Sequence, residues 1–114
     1  MTEGSIIFVD LDDTVADFRR AAERILAKSL PPNCRGITDD EWRCIEEEDR
    51  RFYFDLEIVD GAEVMMNTIR TILFQRNLIG CFLSAIPAKI RDKDRVCYAK
   101  SKWVNKRFPF MRKI

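Results

Sequence analysis

Phe8-Val9-Asp10-Leu11-Asp12-Asp13-Thr14 sets two carboxylates two residues apart at the end of an apolar run, and the reading of that junction decides the fold. Upstream, Ser5 to Val9 is β-branched and aromatic and carries no charge, the pattern of a short buried strand. Beyond Thr14 the apolar spacing becomes that of a helix. Asp10 and Asp12 therefore stand where a strand ends and the chain turns, the place at which open α/β sheets carry their ligands. If strand geometry continues through them, the period of two projects both carboxylates to one side. Neighbouring carboxylates repel unless a cation or a shared proton compensates them, and a hard, oxygen-seeking ion such as Mg²⁺ suits the pair. The alternative is a solvated turn of helix-capping residues.

Outward from this junction, the spacing predicts a helix over about 15–29, with Phe18, Ala22, Ile25 and Leu26 on one stripe and Pro31-Pro32 ending it. Thr38 with Glu41 three residues on forms a capping box for a second, acidic helix running to about Arg51. Residues 15–58 thus read as a helical insert lying over the Asp10 turn as a small cap. Asp60 is expected to cap a third helix from Gly61 to about Arg76, with Met65, Ile69, Ile72 and Leu73 inward. Leu78 to Leu83 reads as a second buried strand closing at Ser84, followed by a polar loop over 85–95 that includes Pro87 and Lys89. A last helix is expected from about Val96 to Phe108. The order strand, helical insert, helix, strand, helix implies parallel pairing through a right-handed crossover, an α/β domain spanning 1–114.

Composition narrows the classes of function. The chain has 114 residues, is 46% hydrophobic and 34% charged, and contains no histidine. The lack of histidine rules out Ser-His and Cys-His nucleophile pairs within the chain and leaves acid–base work to carboxylates, Lys, Tyr or Cys. Cys34, Cys44, Cys81 and Cys97 form no CxxC pair, so neither a zinc site nor a disulfide scaffold is expected. No apolar run approaches the ~20 residues of a membrane span, and a cytoplasmic protein is expected. Charge is uneven: residues 1–88 carry 10 basic and 17 acidic side chains, residues 89–114 carry 10 and 2. The basic end fits a small phosphate ligand or the acidic half of the same fold better than a nucleic acid.

Lys100 is centred on the apolar stripe of the last helix, between Val96, Trp103 and Val104. A buried ammonium needs a partner anion; the alternative is that its stem snorkels to water. Asp10 and Ser84 end adjacent strands at one mouth of the sheet. Two carboxylates, a hydroxyl and a lysine around Mg²⁺ describe phosphoryl transfer. Asp10 is then the nucleophile, Asp12 the general acid–base, and Ser84 and Lys100 the holders of the phosphoryl oxygens.

At this point the chain resembles a known family. Asp10-Leu11-Asp12-Asp13-Thr14 looks like motif I, DxDx[TV], of the haloacid dehalogenase-like (HAD) phosphatase superfamily, with Ser84 at motif II and Lys100 at motif III. Val15-Ala16-Asp17-Phe18, Phe52-Tyr53-Phe54-Asp55-Leu56-Glu57 with Gly61-Ala62, Leu83-Ser84-Ala85, and Tyr98 to Val104 resemble the 5'(3')-deoxyribonucleotidases. The resemblance implies a Rossmannoid parallel sheet with a small helical cap after the first strand, a Mg²⁺ site on Asp10 and Asp12, and hydrolysis of nucleoside monophosphates. It also implies a base pocket lined by Phe18 and closed by aromatics at Phe52 and Phe54, for which a core role is the alternative. The family's motif IV acidic pair has no counterpart up to Ile114. The expectation is therefore a sheet cut to two clear strands. Three alternatives stand for its open edge: the chain is a fragment, a partner chain supplies the missing strands, or a second copy pairs there. For function, a non-catalytic nucleotide-binding remnant is the other reading.

Overall fold

The computed structural model describes residues 5–48, 51–86 and 90–113; Pro87 and Lys89 lie outside them. Among the described residues the order is β1 (Ile6–Asp10), α1 (Phe18–Leu26), α2 (Asp39–Glu48), α3 (Ala62–Arg76), β2 (Ile79–Leu83), α4 (Lys93–Arg107) and β3 (Met111–Lys113). The strands form a mixed α/β unit with a parallel sheet in the order β1-β2-β3. Phe8 aligns with Cys81 and Asp10 with Leu83. A third strand thus follows Pro109, where only two were expected. Its three residues are too few for a period to show in sequence, and pairing with β2 makes them a strand.

Right-handed crossovers in one direction across the sheet place α3 and α4 on the same face. Val9, Gly80, Phe82 and Met111 point to that face and are buried. Phe82 meets Phe108 edge-on at 6.0 Å and Phe108 meets Trp103 at 6.0 Å. Gly80 leaves no room for a side chain, because a Cβ there would press on Met111 and come 2.8 Å from Leu73 Cδ1. On the opposite face Ile6, Phe8 and Leu83 remain 44%, 52% and 43% exposed.

The helices differ from expectation where local polar groups outweigh the apolar pattern. α1 starts at Phe18 and not Val15, because residues 11–16 are used in a tight turn and Asp17 Oδ1 accepts the amide of Arg20 at 3.1 Å. It ends at Ala27, whose backbone is left-handed at φ 52°, before Pro31 is reached. The capping box of α2 forms as read: Thr38 N donates to Glu41 Oε1 at 3.0 Å and Glu41 N to Thr38 Oγ1 at 3.2 Å.

α3 is preceded by Gly61 at φ 82° with no side-chain cap; the exposed Asp60 carboxylate lies 3.9 Å from Arg20 Nη2 instead. Its buried positions are Ala62, Met66 and Leu73, while Met65 is exposed. α4 begins a turn earlier than Val96 because Asp92 Oδ1 accepts the Arg95 amide at 3.1 Å. Its charged first turn reads as loop in the sequence.

The excursion between β1 and α3 returns to its own starting point. Asp17 N donates to Glu57 O at 2.8 Å and Val59 N to Val15 O at 2.8 Å. Trp103 Nε1 donates to Leu56 O at 2.8 Å, tying that return to α4. α1 and α2 are thus carried on a closed stem beside the carboxyl end of β1. No helix among the described residues is long and apolar enough to cross a membrane.

Candidate functional site

The ladder between β1 and β2 ends with Leu11 N donating to Leu83 O at 3.0 Å. The chain then folds back on itself: Val15 N and Ala16 N both reach Leu11 O at 3.0 Å, and Asp13 N reaches Ala16 O at 2.7 Å. Asp13 sits in the left-handed region at φ 59°, which Asp tolerates better than most residues. The regular strand therefore ends at Asp10, and Asp12 lies within the turn that follows. Asp10 stays exposed at the carboxyl end of β1. Among the described residues no hydrogen bond or ion pair is recorded at its carboxylate.

Asp12 is turned into the protein and meets Ser84 and Lys100. Ser84 Oγ donates to Asp12 Oδ2 at 2.6 Å. Lys100 Nζ donates to Ser84 Oγ at 2.7 Å, to Ala85 O at 3.0 Å and to Asp12 Oδ2 at 3.2 Å. An ammonium has three N–H donors, and these three acceptors match them. The same nitrogen lies 3.2 Å from Asp12 Oδ1, outside hydrogen-bond geometry, so that buried oxygen has no hydrogen-bond partner among the described residues. Lys100 is only 3% exposed, and the Tyr53 ring faces its ammonium at 5.3 Å. Lys100 is therefore held by anions and dipoles, and does not snorkel to water.

Asp12 and Lys100 stand at one end of a cavity of about 220 Å³. Asp12, Lys100 and Ala85 line its polar end; Phe18, Trp42 and Tyr53 make an aromatic wall, with Asn33 and Cys34 at the side. The wall is braced from behind. Phe18 lies 5.7 Å from Trp42 and 6.2 Å from Tyr53, and Phe52 packs edge-on against Phe18 at 5.6 Å and against Tyr53 at 5.0 Å.

Of the aromatics singled out in the sequence, only Phe18 lines this cavity. Phe52 is buried behind the wall, and Phe54 is on another surface, 6.1 Å from Tyr98 and 5.3 Å from the Arg51 guanidinium. Trp42 and Tyr53 were not read from the sequence. Trp42 falls four residues after Thr38 in an acidic helix, and only the tertiary fold turns it toward Phe18.

Electrostatics shape the side of the cavity. Cys34 Sγ donates to Asp13 Oδ2 at 3.7 Å. Burial and then the Asp13 charge push the thiol up to about 11, so at neutral pH it is a thiol and a poor nucleophile. Asp13 is itself raised, chiefly by burial, against the lowering effect of the Arg19 amide. Burial, followed by the charges of Asp12 and Glu46, raises Tyr53 far above the ordinary tyrosine range, so its hydroxyl stays neutral. Among the described residues no group of three or more His, Cys, Asp or Glu converges on one point.

Comparison with family models, with curated proteins and with solved structures returned no match for this chain.

Proposed function

We propose that the chain is a phosphatase-type domain of the HAD-like kind, acting on nucleoside monophosphates in the manner of the 5'(3')-deoxyribonucleotidases. One observation carries this reading: Asp12, Ser84 and Lys100 meet within 3.2 Å at the carboxyl end of parallel strands, beside an aromatic-walled cavity. A buried ammonium and a half-buried hydroxyl already in contact are preorganised donors for phosphoryl oxygens. A phosphate entering the cavity takes over the bonds that Ser84 and Lys100 now give to Asp12.

In the reaction, an Asp10 carboxylate oxygen attacks phosphorus and the ester P–O bond breaks, giving an aspartyl-phosphate. Asp12, protonated, donates its proton to the departing nucleoside oxygen. Asp12 then takes a proton from water as the water oxygen attacks the same phosphorus. Inorganic phosphate leaves and the Asp10 carboxylate is restored. The donor set suits Mg²⁺, which is held by one or two carboxylates together with waters and phosphate oxygens. Asp10 and Asp12 are the carboxylates that would hold it, and Asp12 Oδ1 is a buried oxygen with no hydrogen-bond partner among the described residues. When bound, the ion supplies neutralisation of the phosphoryl charge.

A second reading, a phosphate- or nucleotide-binding remnant without turnover, is favoured by Asp10, which lies apart from the hydrogen-bonded group. Release of phosphate from dUMP, dTMP and an aryl phosphate, with Mg²⁺ and with chelator, decides between them. Turnover that Asp10→Asn abolishes supports the enzyme. Turnover that survives Asp10→Asn removes the assigned nucleophile. Calorimetric nucleotide binding without turnover favours the remnant.

A further inference from the structure

A second cavity, of about 260 Å³, lies between α3 and the turn that joins α4 to β3. Glu63, Asn67 and Arg70 line it from α3, at positions i, i+4 and i+7 of one helix face. Arg107, Phe108, Pro109 and Phe110 line it from the end of α4 and the turn. The turn is fixed: Met111 N donates to Phe108 O at 2.9 Å, and the buried Phe108 ring holds Phe110 edge-on at 6.1 Å. This cavity shares no lining residue with the one at Asp12 and Lys100.

Both of its arginines are held by aromatic rings and not by carboxylates. The Arg70 guanidinium lies 5.7 Å from the Phe110 ring centre and 5.8 Å from that of Phe74. Arg107 lies 4.6 Å from the Trp103 ring centre and gives one N–H to Phe54 O at 3.4 Å. A ring attracts a guanidinium but does not take up its fork of N–H donors as an oxyanion does. Among the described residues neither guanidinium forms an ion pair. Asp55, whose charge favours the Arg107 cation, is already bound by Arg51 at 3.2 and 3.3 Å. Burial works against the Arg107 charge, a cost that a bound anion offsets.

We propose that this cavity binds a small phosphate-bearing ligand, with Arg70 and Arg107 as two cationic arms and the Asn67 amide as a neutral donor. Two planar forks reaching in from different elements suit a phosphate dianion, which accepts from both at once. Glu63 lies two turns along α3 from Arg70, and its charge at that end turns away a long polyphosphate. Phe108, Pro109 and Phe110 give the remainder of the ligand an apolar wall. The proposal does not depend on the phosphatase reading, since no residue of that site takes part.

Titration of the isotopically labelled full chain with inorganic phosphate, followed by amide NMR at constant ionic strength, reads both cavities at once. Saturable shifts are expected at the amides of 67–70, 107, 108 and 110. Arg70→Gln, at an exposed position, is expected to raise the Kd read there by roughly tenfold or more, and Arg107→Gln to do the same from the other side. Ser84→Ala is expected to leave these shifts in place, so failure of the phosphatase site and failure of this one are read separately. No saturable shift at these residues, equal shifts with chloride, or a Kd indifferent to Arg70→Gln overturns the proposal. If Arg107→Gln does not fold, Arg70→Gln decides it.

Discussion

Lys100 shows how much a single residue can carry. Its place on the apolar stripe was visible in the sequence, and the fold surrounds its ammonium with Asp12, Ser84 and the Ala85 carbonyl. Lys100→Met keeps the stem volume but removes the donor shared by these groups. It is expected to cost about 1–3 kcal/mol in urea unfolding, because a half-buried carboxylate and hydroxyl lose their partner. On the phosphatase reading it also lowers kcat/KM by about 10²–10³-fold. A variant as stable and as active as the wild type would reduce Lys100 to a packing role.

Cys34 offers a second residue-scale test. Its thiol is raised from 9.0 to about 11 by burial and by Asp13, so iodoacetamide labelling followed by peptide mass spectrometry should keep rising through pH 10. Asp13→Asn should move that midpoint down, since the Asp13 charge raises it. The linkage sign follows: a raised folded-state value gives stability that is present below about 9 and lost as pH rises through about 11.

At the scale of elements, caps and apolar periodicity compete, and the caps explain most of the boundaries. The α2 capping box was readable because both partners lie within four residues of each other. Thr38→Ala is expected to lower stability by about 1 kcal/mol, read from the urea midpoint. The start of α4 was not readable, because Lys93-Asp94-Arg95 looks like loop until Asp92 is seen to cap it.

That cap is placed from a distance by Glu46 of α2. Its buried carboxylate accepts the amides of Arg91 at 3.1 Å and Asp92 at 2.8 Å. Glu46→Ala leaves those amides without an acceptor and is expected to cost about 1–3 kcal/mol. Local melting at the start of α4, seen as faster hydrogen exchange there than elsewhere, is the accompanying sign. In α3 Leu73 is buried and Ile69 packs against the core as expected, but Met66 is inward where Met65 was expected. Met65 and Met66 are chemically alike, and only packing against the sheet selects Met66.

At the scale of the whole molecule, Trp103 links the return of the excursion to the sheet. It is 2% exposed, and its indole N–H holds the Leu56 carbonyl. Trp103→Ala removes both a large core side chain and this tie, with an expected cost of about 3–5 kcal/mol. Trp103→Phe separates the two contributions by restoring most of the volume without the donor.

The sequence by itself determined the α/β order, the parallel pairing of the first two strands and the inward setting of Lys100. Each of these rests on a local period, a cap or a run of residue types. It also put Asp10, Asp12 and Ser84 at strand ends. Only the tertiary structure decided that Asp12 joins Ser84 and Lys100, because these partners lie 72 and 88 residues away along the chain, a separation no local period encodes. Only tertiary structure, too, made a strand of Met111–Lys113 and put Trp42 and Tyr53 beside Phe18 in place of Phe52 and Phe54. Contacts between residues distant in sequence leave no periodic trace in the chain, and the walls of this cavity are made of such contacts.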